Sequence, residues 1–559
     1  MAKSSLLDSN SRFAMNPTRL KNVMRSRFDL SSTVKTSFNV GELIPFDVIE
    51  VLPGDTFDVE TNILCRLQTL LTPIMDDLYL DVYYFFVPNR LVWDHWQEFC
   101  GENSASAWTP STTYSVPVVR TGSTGVDHGS VLDYMGVPPK VGNLVVSALP
   151  TRAYGLIYNE WFRDQNLIDP ALVDTNDVAV SYSKKNPARG GSPFLVSKYH
   201  DYFTSALPSP QKGPDVTIPM MSTTDFPVYT KEEVHDLGTH NDVGLLFGTQ
   251  TGQGYTNGMH PLYSYRADQN TNTRGELRSG NTVVPTATSQ TQVITPVNLW
   301  SNIEGLPVAT INQLRLAFAT QRLYEKDARG GTRYTEILRS HFGVVSPDAR
   351  LQRPELLSYN HVPIQIQQIV QNSETGTTPQ GTTTAMSVTG NTDGSFVKSF
   401  TEHGLILGLC CARYNHTYQQ GLNRMWTRFN RFDYYWPVFS NIGEQPIFNR
   451  EIYAQGNSQD DEVFGYAEAW ADYRFRPSRT SAEMRSTYDT PLDSWHLGDN
   501  YASLPHLSEE WIQEDKSIVD RVLAVTSEVA DQLFMDIYIK NHATRPMPMY
   551  SIPGMSDVM

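Results

Sequence analysis

Two successive runs of alternating oily residues near the N-terminus constrain this chain more than any other feature. From Phe38 to Val48 the large apolar side chains Phe38, Val40, Ile44, Phe46 and Val48 share one parity. From Phe57 to Leu67, the residues Phe57, Val59, Ile63, Cys65 and Leu67 do so again. Successive side chains of a strand point to opposite faces, so each run predicts a strand with one buried face. Between the runs stands Leu52-Pro53-Gly54-Asp55. Proline presets the first dihedral of a type II turn and glycine accepts the positive φ of the second. The turn makes either a hairpin or a corner where the chain changes sheets. A third run, Leu78 to Val87, is apolar on both parities and predicts a strand covered on both faces.

Strand patterns return late in the chain, at 396–412, 434–439, 463–475 and 533–540. In the last, Leu533, Met535, Ile537 and Ile539 oppose Asp536 and Lys540. At 559 residues the chain exceeds one simple core. Strand signals crowded at both ends favour one β core, residues 34–92 with 393–559, carrying long insertions over 93–392. Within the insertions, the spacing of Tyr154, Ile157, Tyr158, Trp161 and Phe162 predicts a helix over 153–166. Two more are predicted over 310–328 and 332–343, broken at Gly330-Gly331 and capped by Gly343. Glycine, threonine, asparagine, glutamine and serine crowd 238–292 and, more briefly, 371–395. Such composition predicts loops that cannot bury a core of their own.

The net charge of −16 argues against a dedicated nucleic-acid-binding protein. The charge is uneven, however. Seven Lys and Arg stand against two Asp in the first 35 residues. Residues 1–33 therefore read as a basic arm on an acidic body. Cys65, Cys100, Cys410 and Cys411 form no Cys-x-x-Cys and no disulfide framework, which fits a reducing compartment. The longest oily run, Leu405 to Ala412, is too short to span a bilayer, and the N-terminus lacks a signal core. The expectation is a soluble protein with no membrane insertion.

Several long segments closely resemble the major capsid protein of microviruses, small icosahedral single-stranded DNA phages, in the gokushovirus branch. They are SRFDLSSTVKTSFNVGELIPFDVIEVLPGDTF, DDLYLDVYYFFVPNRLVWDHW, TRAYGLIYNEWFRDQNL, LRLAFATQRLYEKDARGGTRYTEILRSHFGV and DQLFMDIYIKNHATRPMPMYSIPG. The resemblance implies a mainly β fold, an eight-stranded antiparallel jelly roll of viral capsid type with long inserted loops and a few helices. It implies self-assembly into a T=1 shell around circular single-stranded DNA, in a virion put together in the bacterial host cytoplasm. It brings as partners a small basic DNA-packaging protein, a pilot protein, a transient scaffolding protein and a host-cell surface receptor. In that family a variable insertion near 238–292 builds a surface protrusion. Tyr255, Asn257, His260, Tyr263 and Tyr265 are the candidate host contacts on it.

No catalytic signature stands out: there is no Gly-x-Ser-x-Gly, no phosphate-binding Gly-x-x-x-x-Gly-Lys and no His-Glu-x-x-His. No cofactor is expected. The acidic clusters Asp76-Asp77…Asp81 and Asp460-Asp461-Glu462 offer oxygen ligands for a structural calcium ion, without its loop spacing. The stretch Arg413 to Trp436 interleaves arginines with aromatics, a pattern that suits single-stranded DNA and equally a core or a subunit contact. The candidate nucleic-acid-facing residues are Arg12, Arg19, Lys21, Arg25 and Arg27 of the arm with Arg424, Arg428 and Arg431. The alternative from another class is a jelly-roll carbohydrate-binding or glycan-cleaving protein, with Trp93, Trp96, Trp108 and Tyr114 as its sugar platform. Cleavage would need a pair of carboxylates, and the sequence nominates none.

Overall fold

The alternating runs become strands of two facing sheets. The computed structural model describes residues 24–103, 113–217, 310–374, 376–392 and 394–550, with strand segments between 228 and 301. In chain order the strands of the two sheets are β1 (Ser26–Asp29), β2 (Ser32–Phe38), β3 (Glu42–Val51), β4 (Thr56–Leu67), β5 (Leu78–Pro88) and β6 (Phe194–Leu195). They continue with β7 (Glu355–Pro363), β8 (Thr389–Asn391), β9 (Phe396–Ser399), β10 (Gly404–Tyr414) and β11 (Leu533–Arg545). The six-stranded sheet sets β11 and β4 side by side, with β1 and β2 in series along β11 and β8 and β9 in series along β4. The five-stranded sheet runs β7-β5-β10-β3-β6. All these pairings are antiparallel. From β2 to β5 the chain changes sheet at every step, and late strands insert between early ones, which is jelly-roll connectivity. The sheets hold six and five segments where eight strands are expected from the resemblance.

The turn at Leu52–Asp55 is the corner between β3 and β4. Gly54 takes φ 91°, open only to residues without a Cβ penalty, and Asp55 N–H donates to Leu52 O at 3.0 Å. Most parity residues of both runs meet between the sheets: Phe38, Ile44, Phe46, Phe57, Val59 and Ile63 pack with Leu80, Val82, Ile406, Ile537 and Ile539, whereas a register shift at Asp47 turns Val48 to the outer face. Each such side chain contributes roughly 1.5–3 kcal/mol on burial. The outer face of the five-stranded sheet is covered as well. Helix α1 (Leu149–Ile157) lays Ala153, Tyr154 and Ile157 on Leu43, Phe85, Val87, Leu407 and Leu409, and Tyr154 OH donates to Leu43 O at 2.7 Å. This is why Leu78–Val87 is apolar on both parities. The outer face of the six-stranded sheet stays polar, with Lys35–Asp536 at 2.9 Å and Lys540–Glu60 at 2.8 Å across strands.

Several expectations need correction. Strand β1 and the start of β2 fall inside the arm expected over 1–33, because their backbone groups pair with β11. The helix expected over 153–166 starts earlier, with Pro150 in its first turn, where a missing N–H costs nothing. It closes in a π turn over Tyr158–Phe162. The other two are Ile311–Gly330 and Tyr334–Ile337, the latter running on to Phe342. Gly343 caps the last with φ 68°. The 434–439 run is no strand: it is exposed and holds a single turn over Pro437–Phe439. Of 463–475 only Val463–Glu468 is a strand. The polar stretch 371–395 contains Thr383–Ser387, paired with Ile366–Val370, and β8.

Residues Gly213–Leu323 form a compact unit of their own, apart from Met1–Lys212 with Tyr324–Met559. The 238–292 stretch, expected as loop, carries most of a four-stranded antiparallel sheet in the order Glu276–Ser279, Gly254–Tyr265, Leu246–Thr251, Ile294–Pro296. Backbone pairing makes a sheet where composition alone predicts none.

The register of β11 is testable. Ile537→Ala removes a fully buried side chain and is expected to cost ~2–4 kcal/mol. Its exposed neighbour Tyr538→Ala is expected to cost less than about 1 kcal/mol. Urea unfolding of unassembled subunits measures both, and equal losses would mean the strand faces the other way.

Candidate assembly and nucleic-acid surfaces

The basic–aromatic stretch begins on the covered outer face of the five-stranded sheet. Arg413 lies on β10, and its guanidinium reaches across to Asp81 on β5, the one charge in an otherwise oily run. Nε donates to Asp81 Oδ2 at 3.1 Å. Tyr199 OH donates to the same carboxylate at 2.8 Å and His361 Nδ1 lies 2.6 Å from it. Asp81 is fully buried. Burial pushes its carboxyl up, but Arg413 and the hydrogen bonds from His361, Arg413 and Tyr199 outweigh it and leave the pKa below its ordinary value. Arg413 also stacks over the Tyr199 ring at 4.2 Å. Its charge is spent inside the chain.

Three residues on, His416 is buried between two acids. Its ring nitrogens lie 3.0 Å from Asp499 Oδ1 and 3.1 Å from Glu514 Oε1, and Tyr501 OH donates to Asp499 at 2.9 Å. Desolvation alone would lower the imidazole pKa; the two carboxylates reverse this and raise it to about 9. The imidazolium thus bolts the end of β10 to the 496–514 segment.

From Asn423 to Ser440 the chain leaves the sandwich. Arg424 donates to Pro446 O at 3.0 Å and lies 3.8 Å from Glu451. Arg428 pairs with Asp472, both nearly buried, and stacks over Tyr473 at 4.2 Å. Arg431 is exposed and sits over the Trp436 ring at 4.9 Å. The aromatics between them face outward. In the arm, Arg12, Arg19 and Lys21 lie outside the described residues. Arg25 donates to Gly54 O, and Arg27 on β1 lies 3.7 Å from Asp58, both groups exposed. Tyr255, Asn257, His260, Tyr263 and Tyr265 all fall on the strand Gly254–Tyr265.

The sequence profile of the family described as "Capsid protein (F protein)" matches residues 18–555. The chain belongs to the phage F capsid protein family. Similar curated proteins are the capsid protein VP1 of Chlamydia phage 1, 39% identical with 100% of both chains covered, and that of Spiroplasma virus 4, 40% identical with 96% of each covered. The capsid protein VP1 of Bdellovibrio phage phiMH2K is also 40% identical, over 95% of each chain.

Membership in the F family makes this a structural, non-enzymatic capsid protein of microvirus type, whose kind self-assembles into a shell. The carbohydrate alternative is not favoured: Trp93 is buried core, with its indole N–H on Asp177 at 2.6 Å, Trp96 packs on Trp93 and Phe99, Tyr114 stacks on His95 at 4.2 Å, and Trp108 lies outside the described residues. A cleft of about 1050 Å³ beside Arg413 does carry carboxylates, but they are engaged within the chain. Glu336 pairs with Arg333, Glu444 with Arg329, and Asp201 accepts from Tyr418 OH at 2.6 Å. Within the acidic clusters considered for calcium, Asp81 is engaged as above, Asp76 by the N–H of Leu497, Asp460 by the N–H groups of Gln455 and Gly456, and Asp461 by Arg450 at 2.8 Å. Among the described residues no group of three or more His, Cys, Asp or Glu is placed to hold a metal ion, and no helix is long and apolar enough to cross a membrane. The signal for the buried pair was present in the sequence, as a lone Asp in LYLDVYYFFV. The His416 clamp left none, because its partners lie 83 and 98 residues away.

The clamp carries a sign. The folded pKa of His416 lies above its ordinary 6.5. Its contribution is therefore complete below about 6.5 and is lost as pH rises through about 9. Unassembled subunits are expected to lose thermal stability across that window, and His416→Gln to flatten the dependence. A wild-type melting temperature constant over the same range would show that the histidine is neutral in the fold.

Proposed function

We propose that this chain is the repeating subunit of a T=1 icosahedral shell that encloses a circular single-stranded DNA genome and is assembled in the cytoplasm of a bacterial host. The full-length similarity to capsid proteins of three phages carries this reading. The jelly-roll sandwich supports it, since a rigid β core with long inserted segments suits tiling by closed symmetry. Expression of the chain, alone and with the other genes of its phage, followed by electron cryomicroscopy, tests it. Closed shells of sixty subunits are expected, and subunits that stay monomeric under both conditions would remove the reading.

Genome contact is assigned to the arm, whose cations Arg12, Arg19 and Lys21 lead into Arg25 and Arg27 at the edge of the six-stranded sheet. Backbone neutralisation of this kind is sequence-tolerant and salt-dependent. A small basic packaging protein would share the task, with a scaffolding protein acting before closure and a pilot protein carried in the particle. Host attachment is assigned to the Gly213–Leu323 unit, with Tyr255, Asn257, His260, Tyr263 and Tyr265 on one of its strands as contacts for a surface receptor. Segments inserted between the elements of a rigid scaffold are frequent sites of recognition.

Two deletions separate these roles. Removal of residues 1–23, which spares β1, is expected to leave shells intact and to lower the DNA retained per particle, read from the ratio of absorbance at two wavelengths. Full DNA content in truncated particles would move genome contact elsewhere. Replacement of residues 240–290 by a short Gly/Ser linker is expected to keep the shell and abolish adsorption to host cells. Adsorption at the wild-type rate would take the receptor contact off this unit.

A further inference from the structure

The segment between Asn423 and Ser440 exposes an aromatic surface that the sandwich does not need. Phe429 is 83% exposed, Phe432 70%, Trp426 61% and Val438 88%, and Met425, Tyr434, Tyr435 and Trp436 are exposed beside them. At ~150–250 Å² for each aromatic side chain, these groups offer about 900 Å² of largely apolar area. A monomer rarely exposes a contiguous apolar patch beyond a few hundred Å². One partner of a standard protein interface contributes about 800 Å².

The surface is also held in one shape. Asn423 accepts from Met425 N–H at 3.0 Å. Asp433 accepts from the N–H groups of Phe429 and Asn430 at 2.9 and 2.7 Å. Trp436 Nε1 donates to Arg431 O at 3.1 Å, and Trp470 Nε1 donates to Phe439 O at 2.9 Å. Trp470 itself sits at φ 63°, in the left-handed region, a backbone state that costs a non-glycine residue energy and is kept where the surroundings enforce it. Holding exposed rings in place before contact removes part of the entropy cost of association.

Charge decides what the surface meets. A nucleic-acid platform pairs its stacking rings with cations free for phosphate. Here Arg424 and Arg428 are engaged with Pro446, Glu451 and Asp472, and the exposed Arg431 lies over the Trp436 ring at 4.9 Å. What is left is apolar, preorganised and close to neutral, the make-up of an interface core. We infer that residues 425–438 form a contact between copies of this chain, in which Trp426, Phe429 and Phe432 are the anchors buried against the neighbouring subunit. The inference rests on the shell reading for its partner and departs from a nucleic-acid role for Arg424, Arg428 and Arg431.

The test uses the full chain, expressed under conditions in which the wild type assembles. The double substitution Phe429→Asp with Phe432→Asp is expected to give folded subunits, with an unchanged melting temperature, and a shell yield lower by about tenfold or more. Arg431→Glu is expected to assemble and retain its DNA. Normal shells from the double variant would overturn the inference, as would loss of DNA with intact shells from Arg431→Glu. Should the double variant misfold, oxidative footprinting of the wild type replaces it. Trp426, Phe429 and Phe432 are expected to be protected in shells relative to free subunits, and to stay protected in particles emptied of DNA. Equal labelling in both states, or protection lost with the DNA, would overturn the inference. A wild type that forms only smaller oligomers, yet protects these rings in them, would keep the contact and remove the T=1 shell. No oligomer and no protection would remove both.

Discussion

The pairing of Leu533–Arg545 between the N-terminal strands and Thr56–Leu67 is the constraint on which the rest depends. Strand β11 matches β4 over twelve residue pairs, from Leu533↔Leu67 to Thr544↔Thr56, and β2 over seven. It supplies Leu533, Met535, Ile537 and Ile539 to the space between the sheets. Without it, β4 and β2 would lose their shared neighbour and the inner face of the six-stranded sheet would be open to water. The cost of bringing residues about five hundred positions apart together grows only logarithmically with separation, so the core tolerates the long insertions between them. Folding speed is another matter, because such distant pairings are slow to find.

The second support is polar and sits outside that core. Asp81 is placed on the covered face of β5, where a charge is costly unless paired. Arg413, His361 and Tyr199 complete it. A few residues further on, His416 closes on Asp499 and Glu514. These contacts tie the sandwich, whose edge strand β7 carries His361, to the segments around 199 and 496–514. They orient the chain just before it leaves β10 for the exposed excursion at 423–440. A surface displayed for a partner is only as definite as the elements that carry it, and here these elements are pinned by buried charges.

Much of the β core was legible in the residues themselves. The parity of Phe38–Val48, of Phe57–Leu67 and of Leu533–Ile539 reports a two-residue period, and the double oiliness of Leu78–Val87 reports two covered faces. Gly54 and Gly343 report backbone states that other residues avoid. The illegible parts share a cause. The strands of 246–279 and 383–391 are polar and glycine-rich, so hydrophobic period says nothing of them; backbone pairing makes them sheets. The 434–439 run has the aromatic content of a strand, yet among the described residues no strand pairs with it and its rings are exposed. For the arginines of 413–431, sequence shows the charge and hides its use. Arg413 and Arg428 meet Asp81 and Asp472, which are 332 and 44 residues away.

By itself the sequence determined the kind of core, because alternation is a local property that survives any arrangement of the strands. It determined the family too, since long ungapped segments hold identity without reference to contacts. Only the tertiary structure decided which strands neighbour each other, which face of each sheet is covered and which cations are already neutralised. Those depend on pairings between positions far apart in the chain, and no local pattern encodes the distance between two side chains. The division is sharpest at 423–440, where the sequence shows only arginines among aromatics and the structure alone sets Arg424 beside Glu451 and Arg428 against Asp472.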